Sequence, residues 1–160
     1  MREKSGYMCN LMNLVKLIFT KLKQEKEVKM GSETFTVSTG SRMEFVDITG
    51  QIQKEVSRSG TSDGVCYIYN PHTTAGLTIN EGADPAVQDD IVAVLKKVIP
   101  MNHPYKHMEG NSPAHIMASL MGSSVTVFVE NGRLVLGTWQ KIFFCEFDGP
   151  RSRKVKWKLV

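Results

Sequence analysis

Residues 124–137 read Ser-Val-Thr-Val-Phe-Val-Glu-Asn-Gly-Arg-Leu-Val-Leu-Gly, and this stretch constrains the fold more than any other. Val125, Val127 and Val129 alternate with Thr126 and Phe128, the period of a strand with one buried face. Asn131-Gly132 supplies the residue pair that most readily takes positive φ, as a tight two-residue hairpin turn requires. The chain is therefore expected to run up as a strand over Ser124–Glu130 and return antiparallel over Arg133–Gly137.

The remaining patterns extend this into a mixed fold. Thr34–Ser38, Val65–Asn70, Gly76–Asn80, Lys141–Phe147 and Lys154–Leu159 have strand character. In the last of these, Val155, Trp157 and Leu159 alternate with Lys154, Lys156 and Lys158. Lysines on such a strand most simply block edge-to-edge aggregation, with phosphate contact as the alternative. A helix is expected from a cap near Asp47 to Gly60, with Ile48, Ile52 and Val56 on one face. Asp84-Pro85 opens a second, lined by Val87, Ile91, Val94, Leu95 and Val98 and closed before Pro100. Ser112-Pro113 opens a third, ending at Gly122, after a periodless loop over Pro100–Glu109. The order is neither alternating βαβ nor all-β. It reads as α+β, an antiparallel β-sandwich with helices packed on one side.

Charge location limits the function classes. The chain of 160 residues has a net charge of +4 and a pI near 9.0, yet residues 1–30 alone hold seven basic against three acidic groups, which accounts for the whole excess. The other 130 residues balance, so nucleic acid is not an expected partner. Leu11, Leu14, Val15, Ile18 and Leu22 recur at helical spacing opposite lysines, too short a stretch for stable membrane insertion. Residues 1–29 read as a tail or upstream translation artefact, or alternatively as a surface-binding helix. Residues 30–160 read as one domain. Cys9, Cys66 and Cys145 make no CxxC pair, which fits small buried hydrophobes in a cytoplasmic protein.

The chemistry-bearing side chains gather at element ends. His72 follows a buried strand and precedes Thr73 and Thr74, while His107 and His115 straddle the start of the third helix, with Ser119 one turn beyond His115. Three histidines invite a zinc site with an open position, or else a set of neutral imidazoles. Asn111 and Ser112 at a helix start offer N–H groups to an anion, and Arg151 and Arg153 offer guanidinium forks, unless Asp148 and Glu146 lock them in ion pairs. Glu81 and Asp89 are candidate Mg²⁺ holders or general bases, and Asp84 is a cap. Trp139-Gln140 offers a stacking face and an amide, and His103 faces solvent. No GxGxxG, phosphate loop, G-x-S-x-G or CxxC is present, so no nucleotide cofactor is expected.

His72-Thr73-Thr74-Ala75-Gly76-Leu77, Ile79-Asn80-Glu81, Asp84-Pro85, Gly110-Asn111-Ser112, Ala114-His115-Ile116, Ala118-Ser119-Leu120, Gly137-Thr138-Trp139-Gln140 and Glu146-Phe147-Asp148-Gly149-Pro150-Arg151, in that order, resemble the YjbQ family, often labelled secondary thiamine-phosphate synthase. The likeness runs from about Phe35 to Leu159. It implies an α+β sandwich forming a homotrimer, with its polar cluster at or near the subunit contact. It also implies a weak side activity that joins aminopyrimidine pyrophosphate to thiazole phosphate and releases pyrophosphate. On this reading His72, His107 and His115 are catalytic, and Thr73, Asn80, Glu81, Asn111, Ser112, Ser119, Gln140, Arg151 and Arg153 hold the phosphorylated substrate. Met108 after His107 departs from the polar residue of many relatives. The alternatives are a zinc-dependent hydrolase of a small phosphorylated or acylated metabolite, with His72, His107 and His115 as ligands, and a non-catalytic trimer that captures a phosphometabolite. A chain started at Met30 is expected to keep its circular-dichroism spectrum and cooperative melt; loss of folding would make residues 1–29 part of the domain.

Overall fold

The small residues between β-patterned segments and the apolar stripes on the helices build a layered structure. The computed structural model describes Lys16 and residues 32–160; apart from Lys16, the helix expected over Leu11–Leu22 lies outside the described residues. In chain order the elements are β1 (Glu33–Ser38), β2 (Glu44–Asp47), α1 (Thr49–Ser59), β3 (Gly64–Tyr69), β4 (Ala75–Glu81), α2 (Pro85–Val98), α3 (Ser112–Met121), β5 (Ser124–Glu130), β6 (Arg133–Leu134), β7 (Gln140–Glu146) and β8 (Ser152–Leu159). A five-stranded sheet of order β1-β8-β3-β5-β6 faces a three-stranded sheet of order β2-β7-β4, and every pairing is antiparallel. The α+β class follows.

Alternation decides which side chains meet. Val37, Cys66, Ile68, Val127, Val129, Val155 and Trp157 of the larger sheet pack against Ala75, Leu77, Ile142 and Phe144 of the smaller one. Helix α1 adds Ile52 and Val56 to that same core. The opposite face of β7, with Phe143 and Cys145, is covered by Ala114, Met117 and Ala118 of α3, together with Leu95 and Ile99 at the end of α2. Burial pushes the Cys66 thiol up to about 11 and raises that of Cys145 as well, as expected of thiols that serve as small hydrophobes.

Local signals worked where backbone chemistry is decisive. Asn131 and Gly132 both take positive φ, 51° and 72°, in the hairpin turn. Asp84 caps α2 by accepting from the Ala86 N–H at 2.9 Å, with Pro85 in the first turn. Three expectations differ from the structure. The return strand ends at Leu134 rather than Gly137. The short β2 lies where only a helix cap was expected: Asp47 ends it and still accepts from the Thr49 N–H at 2.9 Å. Most consequential, β8 lies between β1 and β3, so its lysines are on an interior strand and cannot serve as edge protection.

The two sheets are tied together behind α3. Leu77 N–H donates to the Gly122 carbonyl at 3.0 Å, and Asn70 N–H donates to the Ser123 carbonyl at 2.8 Å. This approach demands glycine at position 76, where a Cβ would lie 2.6 Å from Met121 Cβ and 3.1 Å from the Gly122 oxygen. Gly76→Ala is expected to cost about 1–3 kcal/mol through overpacking, read as a lower urea midpoint; an unchanged midpoint would contradict this close packing.

Candidate functional site

The polar residues converge where β4 begins and β7 ends, since Ala75 pairs with Glu146. At the exit of β3, the buried Asn70 shapes the turn. Its Nδ2 donates to the His72 carbonyl at 3.1 Å and the Ala75 carbonyl at 2.6 Å, while its Oδ1 accepts from the His72 N–H at 3.0 Å. That side chain replaces strand pairing over residues 71–74, as Asn readily does. It aims His72 across to β8, where the Lys154 N–H donates to His72 Nε2 at 2.9 Å.

Behind His72 sits a charged pair sealed from water. Arg153 donates Nε to Glu146 Oε2 and Nη2 to Glu146 Oε1, both at 2.6 Å, and a further Nη2 bond at 2.9 Å reaches Thr74 Oγ1. The Glu146 side chain is 0% exposed and that of Arg153 is 8% exposed. The Phe147 and Asp148 N–H groups donate to Glu146 Oε1 at 3.0 and 2.9 Å, and the Thr39 hydroxyl lies 3.3 Å from Oε2. Burial alone would raise the Glu146 pKa, but Arg153 and these N–H donors hold it below its ordinary 4.5. Gly149 is packed against the same network: a Cβ there would lie 2.3 Å from the Ser41 carbonyl oxygen and 2.8 Å from Glu146 Cγ.

A second layer joins this pair to α3. Asp148 accepts from Arg151 Nη2 at 2.7 Å and from Asn111 Nδ2 at 3.2 Å. Those partners and the charge of Arg153 hold its carboxyl below 3.8, against the opposing effect of burial. Asn111 Oδ1 is buried with no partner among the described residues. Its carbonyl accepts from Ala114 and His115, and Ser119 Oγ donates to the His115 carbonyl at 2.9 Å. The His107 and His115 rings stand edge to face, 5.2 Å between centroids.

Several expectations are altered by this geometry. Both arginines are locked onto carboxylates, the alternative left open by the sequence. The α3 start is a poorer anion seat than its capping pattern suggested, because Pro113 has no N–H and the Ala114 and His115 N–H groups already turn to Asn111. Asn80, Glu81 and Gln140 do not join His72 within the chain. They lie at the far end of the β4–β7 pair, about 17–20 Å away at strand rise. There Asn80 Oδ1 accepts from the Glu81 N–H, Gln140 Oε1 accepts from the Gly137 N–H, and Gln88 Nε2 donates to the Glu81 carbonyl. Thr73 is exposed, and its neighbour Thr74 is the residue that enters the network. His103 is exposed beside Tyr105, and Trp139 is 65% exposed at a turn. The residues fit a metal poorly. Among the described residues no three His, Cys, Asp or Glu side chains form a metal-holding group, and His72 Nε2 is already occupied by an N–H. Thr39 and Asn70 escaped the sequence reading, and Thr74 was noted beside His72 but given no binding role; Asn70, an Asx residue before proline at a strand end, carried a local signal.

The profile of the YjbQ-like UPF0047 proteins matches residues 33–160. This chain belongs to the YjbQ/UPF0047 family. It is 51% identical over 126 residues to a UPF0047 protein of Methanocaldococcus jannaschii, covering 79% of this chain and 91% of the relative. It is 48% identical over 129 residues to YugU of Bacillus subtilis, covering 80% and 98%. A crystal structure of a YjbQ/UPF0047 protein of Clostridium acetobutylicum superposes with a TM-score of 0.78 at 55% identity, covering 80% of this chain and 99% of that one. The mixed architecture of curled antiparallel sheets, with three helices within residues 32–160, is thus a YjbQ/UPF0047 fold. Among the described residues no helix is long and apolar enough to cross a membrane.

Glu146→Gln would leave the Arg153 charge buried without its counter-ion, a change expected to cost about 3–5 kcal/mol. Because Glu146 and Asp148 titrate below 4.5 and 3.8, the stability they contribute is complete above those values and is lost as pH falls through the lowered ones. The melting temperature of the native sequence should therefore drop steeply in that acid range and that of Glu146→Gln less so; parallel curves would contradict the role given to Glu146.

Proposed function

We propose that the polar cluster where β4 begins and β7 ends holds a small phosphorylated metabolite and that the domain is a transferase of the thiamine-phosphate-synthase type. In that reaction the carbon–oxygen bond of the aminopyrimidine pyrophosphate breaks, the thiazole nitrogen forms the new bond, and pyrophosphate leaves. The activity is read as a minor one of a cytoplasmic homotrimer. The observation that carries the reading is the state of His72. Burial and the nearby Arg153 charge lower its pKa below 6.5, and Nε2 accepts from Lys154. The ring is thus neutral at pH 7, with its proton on Nδ1 free to meet a phosphate oxygen.

The other groups supply what pyrophosphate departure needs, charge stabilisation in a fixed frame. Arg153 is held rigid by Glu146, and His107 and His115 stand on the α3 side of the same network through Asn111 and Asp148. A second reading, a non-catalytic phosphometabolite-binding trimer, draws support from charge balance, because Arg151 and Arg153 are each matched by a carboxylate.

His72→Ala or His115→Ala is expected to lower turnover of the two thiamine precursors at least about 100-fold while gel filtration still reports the native oligomer. The native rate should fall as pH drops below 6.5 and His72 protonates, losing the Lys154 bond. Unchanged rates in both variants would remove these histidines from the reaction, and product-free retention of the phosphates would select the binding reading.

A further inference from the structure

The interior position of β8 leaves its lysine stripe without the edge-protecting role, and the register shows what accompanies it. On the outer face of the five-stranded sheet, Tyr67 pairs with Lys158 and Tyr69 with Lys156. Val65 pairs with Phe128, which puts the Phe128 ring diagonally beside Tyr67. Tyr67, Tyr69 and Phe128 are 49%, 48% and 66% exposed, large values for aromatic rings in the middle of a sheet. Lys154 continues the stripe at the next outward position.

We propose that this face binds single-stranded nucleic acid. Successive outward residues on a strand lie about 7 Å apart and neighbouring strands about 4.8 Å apart. Tyr67 and Tyr69 therefore offer stacking surfaces spaced for two unstacked bases, with Phe128 for a third, and the parallel row of ammonium groups lies where the sugar-phosphate chain would pass. Stacked aromatics beside a basic track are the two parts of a sequence-tolerant single-strand site. The balanced charge of residues 31–160 had argued against nucleic acid, but that sum averages a positive stripe on β8 with the acidic surface of Asp84, Asp89 and Asp90 near the α2 start. Two copies meeting through this same face would set lysines against lysines, which disfavours a two-fold contact; packing of this face on a different surface of another copy is decided by the oligomeric state of the tyrosine variants.

The test uses the full chain and fluorescently labelled 12-nucleotide oligo(U) and oligo(dT), read by anisotropy. Binding is expected to weaken roughly 20-fold between 50 and 200 mM salt, as about three neutralised phosphates require. Tyr67→Ala and Tyr69→Ala should each weaken it at least about fivefold, and Lys156→Ala should flatten the salt dependence, each variant keeping the native spectrum. Affinity indifferent to the tyrosines would assign binding to the basic first thirty residues and overturn the proposal. So would absence of binding at low salt, or a change of oligomeric state in the tyrosine variants, which would make the face a contact between copies.

Discussion

The ion pair between Glu146 and Arg153 is the interaction on which the rest of the polar architecture depends. A carboxylate with no exposed side-chain surface is tolerable only with its lone pairs filled, and two guanidinium bonds, two backbone N–H groups and the Thr39 hydroxyl do this. The groups that meet here come from three separate strands or strand ends. Arg153 belongs to β8 in the larger sheet, Glu146 to β7 in the smaller one, and Thr39 to the exit of β1. The pair therefore joins the two sheets at one end of the sandwich, where apolar contact gives way to polar residues. Glu146 itself is no candidate base, since its five donors favour the ionised form and leave no lone pair facing a ligand.

That fixed frame explains why His72 can be chemically specific. A lone exposed imidazole samples both tautomers and titrates near neutrality. Here the ring accepts a backbone N–H on one side, and burial together with the adjacent Arg153 charge disfavours a second proton. Asp148 extends the frame to Asn111, which ties the α3 start to the sheets, while His107 reaches in from the loop over residues 100–109 to meet the His115 ring. The charge of the whole cluster is close to zero, so recognition of the proposed phosphorylated ligand would rest on directed donors more than on net potential.

Much of the scaffold was legible because it depends on local chemistry. Asn131-Gly132 announced its turn, Asp84-Pro85 its helix, and the valine alternation of β5 its buried face. The interior position of β8 was not legible, because an alternating lysine strand looks the same at an edge and at a centre; pairing is decided by Phe35, Val37, Cys66 and Ile68 on distant strands. The site was partly legible. His72, Asn111, Arg151 and Arg153 stood out as residue types, but the bonds that define them span 79 residues from Thr74 to Arg153 and 107 from Thr39 to Glu146. Sequence proximity also misled: Asn80 is eight positions from His72, yet an extended strand carries it away from the site at about 3.3 Å per residue.

The central claim, that the frame around Glu146 and Arg153 holds His72 as a neutral Nδ1–H imidazole bonded through Nε2, is tested most directly by nitrogen-15 NMR of the histidine rings across pH 4 to 9. The account predicts that the His72 ring shows Nδ1 protonated and Nε2 bare at neutral pH, titrating below 6.5. A ring protonated on Nε2, or one titrating above 6.5, would contradict it.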